Sequence, residues 1–175
     1  MKSEHLKSRL TTKVSELLNE QIMHENNISL QYLQMACWAE KNDYTHASKF
    51  FYKQAEEERT HMFKLIKYVH DMGGDIVIKN ETNSPIRTDF NTLKELFVMA
   101  LACEITTSKA INHMVNYCLD DKDFMTFGFL QWFVLEQIEE EAVARKHVGL
   151  FEVMEKQEGM AIHMVDLAIG KGITA

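Results

Sequence analysis

At 175 residues and 20.4 kDa the chain has the length of one ordinary domain. One proline and seven glycines are too few turn residues for a sandwich or barrel, which needs them every ~8–12 positions. A net charge of −7, from 19 basic and 26 acidic residues, argues against a nucleic-acid partner. The longest apolar run, Leu96 to Cys103, is too short to span a bilayer, and the opening MKSEHLKSRLTTK lacks the apolar core of a secretory signal. Cys37, Cys103 and Cys118 are an odd count inside apolar runs, expected as reduced core thiols in a reducing compartment. The expectation is a cytoplasmic, soluble, all-α protein with no membrane or nucleic-acid partner.

Punctuation divides the chain into five helices, near 5–41, 44–72, 91–119, 123–155 and 159–170. Asn42-Asp43 separates the first two, and Gly73-Gly74 closes the second, because glycine tolerates the left-handed conformation that ends helices. The only proline, Pro85, lies in the aperiodic stretch Lys79 to Asn91. Asp121 or Asp123 can cap the fourth helix. Gly159 precedes the short fifth helix, whose tail Gly170 and Gly172 should fray. Asp75-Ile76-Val77-Ile78 could pair as a strand in the crossover, including against a neighbouring subunit.

Interior positions of a bundle helix recur at alternating steps of three and four. The first helix offers Val14, Leu18, Gln21, Glu25, Ile28, Tyr32 and Met35. The second gives Ala47, Phe51, Gln54, Glu58, His61, Leu65, Tyr68 and Met72, and the third gives Leu93, Phe97, Ala100, Glu104, Thr107, Ile111, Met114 and Cys118. The fourth runs Leu130, Phe133, Gln137, Glu140, Ala144, His147, Phe151 and Met154. Each stripe is apolar at its ends and polar in its middle.

The polar centres also match in height. Glu25 and Glu58 stand about equally far from the turn between them, as do Glu104 and Gln137 from theirs. Extended, the 73–90 connection reaches up to roughly 60 Å at ~3.3–3.6 Å per residue, more than the second helix's length of about 43 Å at ~1.5 Å per residue. The chain can therefore return to the starting end and run helices two and three parallel, which brings all four centres to one layer.

Glu25, Glu58, Glu104 and Glu140 would crowd that layer with His61 and Gln137, and no Lys or Arg occupies the interior frame. Buried carboxylates need pairing, protonation or metal. Two divalent cations neutralise four carboxylates, and an oxygen-rich set with one imidazole favours iron, manganese or zinc. Glu58-x-x-His61 puts two ligands on one helical face.

The segments Gln54-Ala55-Glu56-Glu57-Glu58-Arg59-Thr60-His61, FLQWFVLEQIEEE (Phe129 to Glu141) and LNEQIMHE (ending at Glu25), together with Glu104, resemble the non-haem bacterial ferritins over essentially the whole chain. The resemblance implies a single ferritin-like domain over 1–175, a four-helix bundle over 5–155 with a long crossover and a short C-terminal helix over 159–170. It implies a ferroxidase centre in which Glu25, Glu58 and His61 bind one iron, and Glu58 bridges to a second held by Glu104 and Glu140 beside Gln137. Tyr32 resembles the family's neighbouring tyrosine, and Trp132 a nearby aromatic. A third iron would take Glu57, Glu136 and Glu139, with Glu140 shared. The substrates would be Fe(II) and dioxygen or hydrogen peroxide, and the assembly a hollow homo-oligomer of twenty-four subunits that stores ferric mineral.

Two departures distinguish the chain from bacterioferritins. The second E-x-x-H is replaced by Gln137-x-x-Glu140, and Arg59 stands where the haem methionine would follow the E-x-x-H glutamate, so no haem is expected. His147 is expected to be packed or hydrogen-bonded, and His163 could line a symmetry axis. Gly128 and Gly149 fall inside the fourth helix, at about 1 kcal/mol each against alanine.

Overall fold

A computed structural model describes residues 8–79, 86–155 and 162–172. Five helices form: α1 (Thr12–Lys41), α2 (Thr45–Asp71), α3 (Leu93–Asp120), α4 (Phe124–Glu155) and α5 (Ile162–Gly172). There is no strand among the described residues, and no helix there is long and apolar enough to cross a membrane.

The first helix starts later than its periodicity suggests. Thr11 is extended and its hydroxyl accepts from the Val14 N–H at 3.3 Å, an N-cap that fixes the start at Thr12. Residues just before it fold over the end of α2 instead, where the Arg9 N–H donates to the Met72 carbonyl at 2.9 Å and Leu10 is buried. Residues 5–7 lie outside the described residues.

The α1–α2 turn places Asp43 at φ 62° and the α2 terminus places Gly73 at φ 74°, the left-handed step that lets the chain leave a helix. A Cβ on Gly74 would sit 2.9 Å from Val69 Cγ1 and 3.0 Å from Leu10 Cδ1, so glycine permits the N-terminal segment to close over this end. Thr92 caps α3 through the Glu95 N–H, and Asp123 caps α4 by accepting from the Thr126 N–H at 3.0 Å.

Helices α1 and α2 pack as one antiparallel pair and α3 and α4 as another, joined by contact of α1 with α3. The crossover runs beside α1. Asn19 donates to the Asp75 carbonyl and accepts from the Val77 N–H; Gln31 does the same with Arg87 on both sides of its peptide. Two carboxamides thus take the Asp75 carbonyl, the Val77 N–H and both backbone groups of Arg87, and Asp75–Ile78 pairs as no strand within this chain. Trp38 meets Phe90 edge-on, which starts α3 at the top of the bundle and makes α2 and α3 parallel.

Apolar packing forms two clusters. One holds Tyr32, Met35, Phe51 and Phe97; the other holds Leu18, Ile22, Leu65, Ile111 and Phe133. Each buried side chain of this size contributes roughly 1.5–3 kcal/mol. The polar centres of the four stripes lie between the clusters.

Helix α5 docks on α2 through Val165 and Ile169, both buried. Its Asp166 carboxylate accepts from the Ala47 N–H at 2.8 Å and the His46 N–H at 3.3 Å, capping α2, whose own N-cap residue, Tyr44, makes no side-chain cap bond. Gly170 and Gly172 continue the helix rather than fraying it; a Cβ at Gly170 would lie 2.2 Å from the His46 ring, and glycine allows the approach. Residues 159–161 and the side chain of His163 lie outside the described residues. Cys103 and Cys118 are buried but Cys37 is exposed: Met35, Ala36 and Ala39 take the inner face of α1, and two residues past Met35 the helix has turned ~200°.

Candidate metal centre

Each helix delivers its polar residues to one depth, and all are shut off from water. Glu25 on α1 is 0% exposed, Glu58 and His61 on α2 are 1% and 3%, Glu104 on α3 is 1%, and Gln137 and Glu140 on α4 are 5% and 8%. Two of their neighbours in the triple-glutamate runs turn away. Glu56 is exposed, and Glu141 pairs with Arg145.

Within the layer, Gln21 Nε2 donates to Glu25 Oε1 at 2.7 Å, and His61 Nδ1 lies 3.1 Å from Glu58 Oε2. The Tyr32 hydroxyl, buried and stacked on Phe51, donates to Glu104 Oε1. Gln137 Nε2 donates to both the backbone carbonyl and Oε2 of Glu104, each at 3.2 Å. Gln54 Nε2 reaches Glu57 Oε2 at 3.0 Å and Glu140 Oε2 at 3.4 Å. Glu25 Oε2 and Glu58 Oε1 are buried and receive no hydrogen bond from outside the pair among the described residues; the two carboxyls hydrogen-bond each other through a shared proton.

No Lys or Arg among the described residues forms an ion pair with these four carboxylates. The electrostatic consequence is uniform. Burial foremost, then the charge of Glu58, raises Glu25 well above the carboxylate range. Burial and the charge of Glu104 raise Glu58, burial raises Glu104 against the bonds from Tyr32 and Gln137, and burial with Glu104 and Glu57 lifts Glu140 to about 8. The metal-free layer therefore holds protons at neutral pH, and a cation that binds must displace them.

Glu25, Glu58 and His61 present one ligand atom each within 4.8 Å of one another. Glu104 and Glu140 belong to the same electrostatic cluster but are turned aside, Glu104 to Tyr32 and Gln137 and Glu140 to Gln54. Each oxygen that accepts one of these bonds keeps a further lone pair, so the two carboxylates can hold a second ion while Tyr32, Gln137 and Gln54 fix their orientation. The His61 ring is set by Trp132 and Phe133, both edge-to-face at 5.4 and 6.0 Å, with the Lys64 ammonium 3.6 Å over the Trp132 ring.

Glu57, Glu136 and Glu139 come together with Glu140 around a cavity of about 320 Å³ between α2 and α4, with Lys53 and Lys146 also in its lining. His147 lines the same cavity but is packed, edge-on to Phe50 and Phe97; burial pushes its imidazole down to about 4. Gln21 and Gln54 fall in the interior stripes, yet the pattern gives them no role. Each stands four residues before a layer glutamate on its own helix, and only the structure shows that Gln21 serves Glu25 while Gln54 reaches across to Glu140.

A family model for the ferritin-like domain matches residues 15–154. The chain belongs to the ferritin family. It is 34% identical over 157 residues to a bacterial non-heme ferritin of Campylobacter jejuni, covering 90% of this chain and 92% of the relative. A bacterial non-heme ferritin of Staphylococcus aureus is 33% identical over 140 residues, 80% of this chain and 83% of the relative. Among solved structures, an open-pore ferritin from the archaeon Archaeoglobus fulgidus superposes with a TM-score of 0.84 at 28% identity, over 92% of this chain and 96% of that one. A humanized archaeal ferritin gives 0.85 at the same identity.

Proposed function

We propose that this chain is an iron-storage subunit with ferroxidase activity, working in the cytoplasm as part of a hollow homo-oligomer of twenty-four copies. The observation that carries this reading is the pair of buried carboxylate oxygens, Glu25 Oε2 and Glu58 Oε1, without donors outside the pair, beside His61. Such oxygens are costly unless a shared proton or a cation takes them, and a cation that displaces the proton gains the full carboxylate charge. Two Fe(II) ions bring the positive charge that four carboxylates lack, displace the layer's protons and sit close enough to react together. Glu25 and His61 hold the first, Glu58 bridges, and Glu104 and Glu140 hold the second with Gln137 orienting Glu104.

Each Fe(II) gives up one electron. Dioxygen accepting the pair and two protons leaves as hydrogen peroxide; hydrogen peroxide accepting a pair and two protons leaves as two waters. The Tyr32 hydroxyl anchors Glu104 and shields it from water. Fe(III), harder and more oxygen-seeking, then passes to the carboxylates of Glu57, Glu136 and Glu139 on the α2–α4 side and on to mineral. Arg59 at the position after Glu58 fits a ferritin without haem there.

Glu58→Ala should slow fast Fe(II) oxidation by about 10²-fold or more while the oligomer still assembles, since one ligand to both ions is lost. Stopped-flow absorbance and native mass read both outcomes. Undiminished fast oxidation in that variant refutes the site. A small oligomer in native mass would instead favour a soluble di-iron oxidase that stores nothing.

A further inference from the structure

Of the cavities beside the carboxylate layer, two lie on opposite faces of the bundle, and a third between α3 and α4 reaches Gln137 but is lined by Arg145, which repels a cation. One of the opposite two is the acidic cavity between α2 and α4. The other, of about 270 Å³, lies between α1 and α3 and is lined by Glu20, Gln21, His24, Asn27, Ala110 and His113 among others. We propose that this α1–α3 cavity captures hydrated Fe(II) and delivers it to the layer past Gln21. The inference rests on the ferroxidase reading and adds to it the route by which the substrate arrives.

The lining explains the chemistry. Glu20, His24 and Asn27 recur at steps of four and three along α1, and His113 faces them from α3, where Ala110 leaves room. No Lys or Arg lines the cavity, so nothing competes with or repels a cation. Its volume accommodates an ion with six waters, at ~30 Å³ of liquid volume each. Among the described residues, the cavity does not bring three ligand atoms within 4.8 Å as the layer does. The ion therefore meets fewer convergent side-chain ligands here than in the layer and keeps most of its waters, loosely enough to move on.

The path onward is one side chain thick. Gln21 lines the cavity on one side and donates to Glu25 Oε1 at 2.7 Å on the other, next to the carboxylate oxygen without a donor outside the Glu25 and Glu58 pair. His24 Nε2 lies 2.8 Å from Thr107 Oγ1, and Thr107 is buried one turn beyond Glu104. Rotation of the Gln21 amide opens the way and frees Glu25 to take the ion. The donor sets give the direction. Imidazole suits Fe(II), while the four carboxylates of the opposite cavity suit the harder Fe(III).

The test uses the assembled protein and the double variant Glu20→Gln/His113→Ala, which changes two exposed positions. Crystals soaked in Co(II) should show an anomalous peak between α1 and α3 in the wild type and in Glu58→Ala, and none in the double variant. Stopped-flow oxidation by the double variant should fall threefold or more at sub-saturating Fe(II), with most of the loss recovered at saturation. Absence of the Co(II) peak in the wild type, or a double variant that matches it at every Fe(II) concentration, overturns the proposal. Failure of the underlying ferroxidase reading looks different: Glu58→Ala would then oxidise Fe(II) as fast as the wild type.

Discussion

Glu140→Gln should make the metal-free protein more stable at alkaline pH, although it removes a residue proposed to serve function. Burial and the charges of Glu104 and Glu57 lift the Glu140 carboxyl from the ordinary 4.5 to about 8. Between those values the folded protein keeps a proton that the unfolded chain has released. The stabilisation is full below pH ~4.5 and is lost as pH rises through about 8. At ~1.4 kcal/mol per pH unit, this carboxyl alone accounts for up to about 5 kcal/mol across the window. Glu25, Glu58 and Glu104 shift the same way and steepen the decline. Glutamine keeps the shape and the acceptor for Gln54 but never ionises, so it removes this contribution and relieves Glu104. Urea denaturation of chelator-treated protein at about pH 5 and about pH 8 reads the effect. The wild type should lose stability between the two, and the variant should lose less and exceed it by a few kcal/mol at the higher pH. Parallel pH profiles, or a wild type that gains stability through this range, would refute the electrostatic account of the layer.

Other outcomes follow from the same geometry. Zn(II) at about a hundred times its dissociation constant should stabilise the apo protein by about 2.7 kcal/mol per site, seen as a raised melting temperature, and Glu25→Ala/Glu58→Ala should respond far less. Asp166→Ala removes the carboxylate that caps α2 and should cost about 1 kcal/mol in denaturant, with faster amide exchange at His46 and Ala47. Gly170→Ala drives a Cβ into the His46 ring, and its melting temperature should drop. Tyr32→Phe keeps the stacked ring but loses the donor to Glu104; oxidation should slow severalfold while anaerobic Fe(II) stoichiometry holds.

Much of this molecule is legible in one dimension because a bundle repeats its interior every three or four residues. Glu25, Glu58, His61, Glu104, Gln137 and Glu140 all sit on stripes that could be written down before any coordinates, and all are buried at one depth. Their common height needed only residue counts to the turns and the reach of the crossover. The first helix boundary misleads because periodicity cannot see Arg9 and Leu10 folding over the end of α2. Cys37 misleads because an apolar neighbourhood in sequence is not an apolar face.

Composition and spacing by themselves determined the helical class, the five segments and the depth of the acidic layer, since those depend on local periodicity and chain length. Only the folded chain decided which oxygen each amide satisfies. Gln21 bonds Glu25 on its own helix, while Gln54 bonds both Glu57 on its own helix and Glu140 across the bundle, a difference set by side-chain rotation between packed helices. The same packing opens cavities beside the layer and brings two buried carboxyls together where a cation can replace their shared proton. No one-dimensional pattern records such positions, because they arise where surfaces from different helices meet.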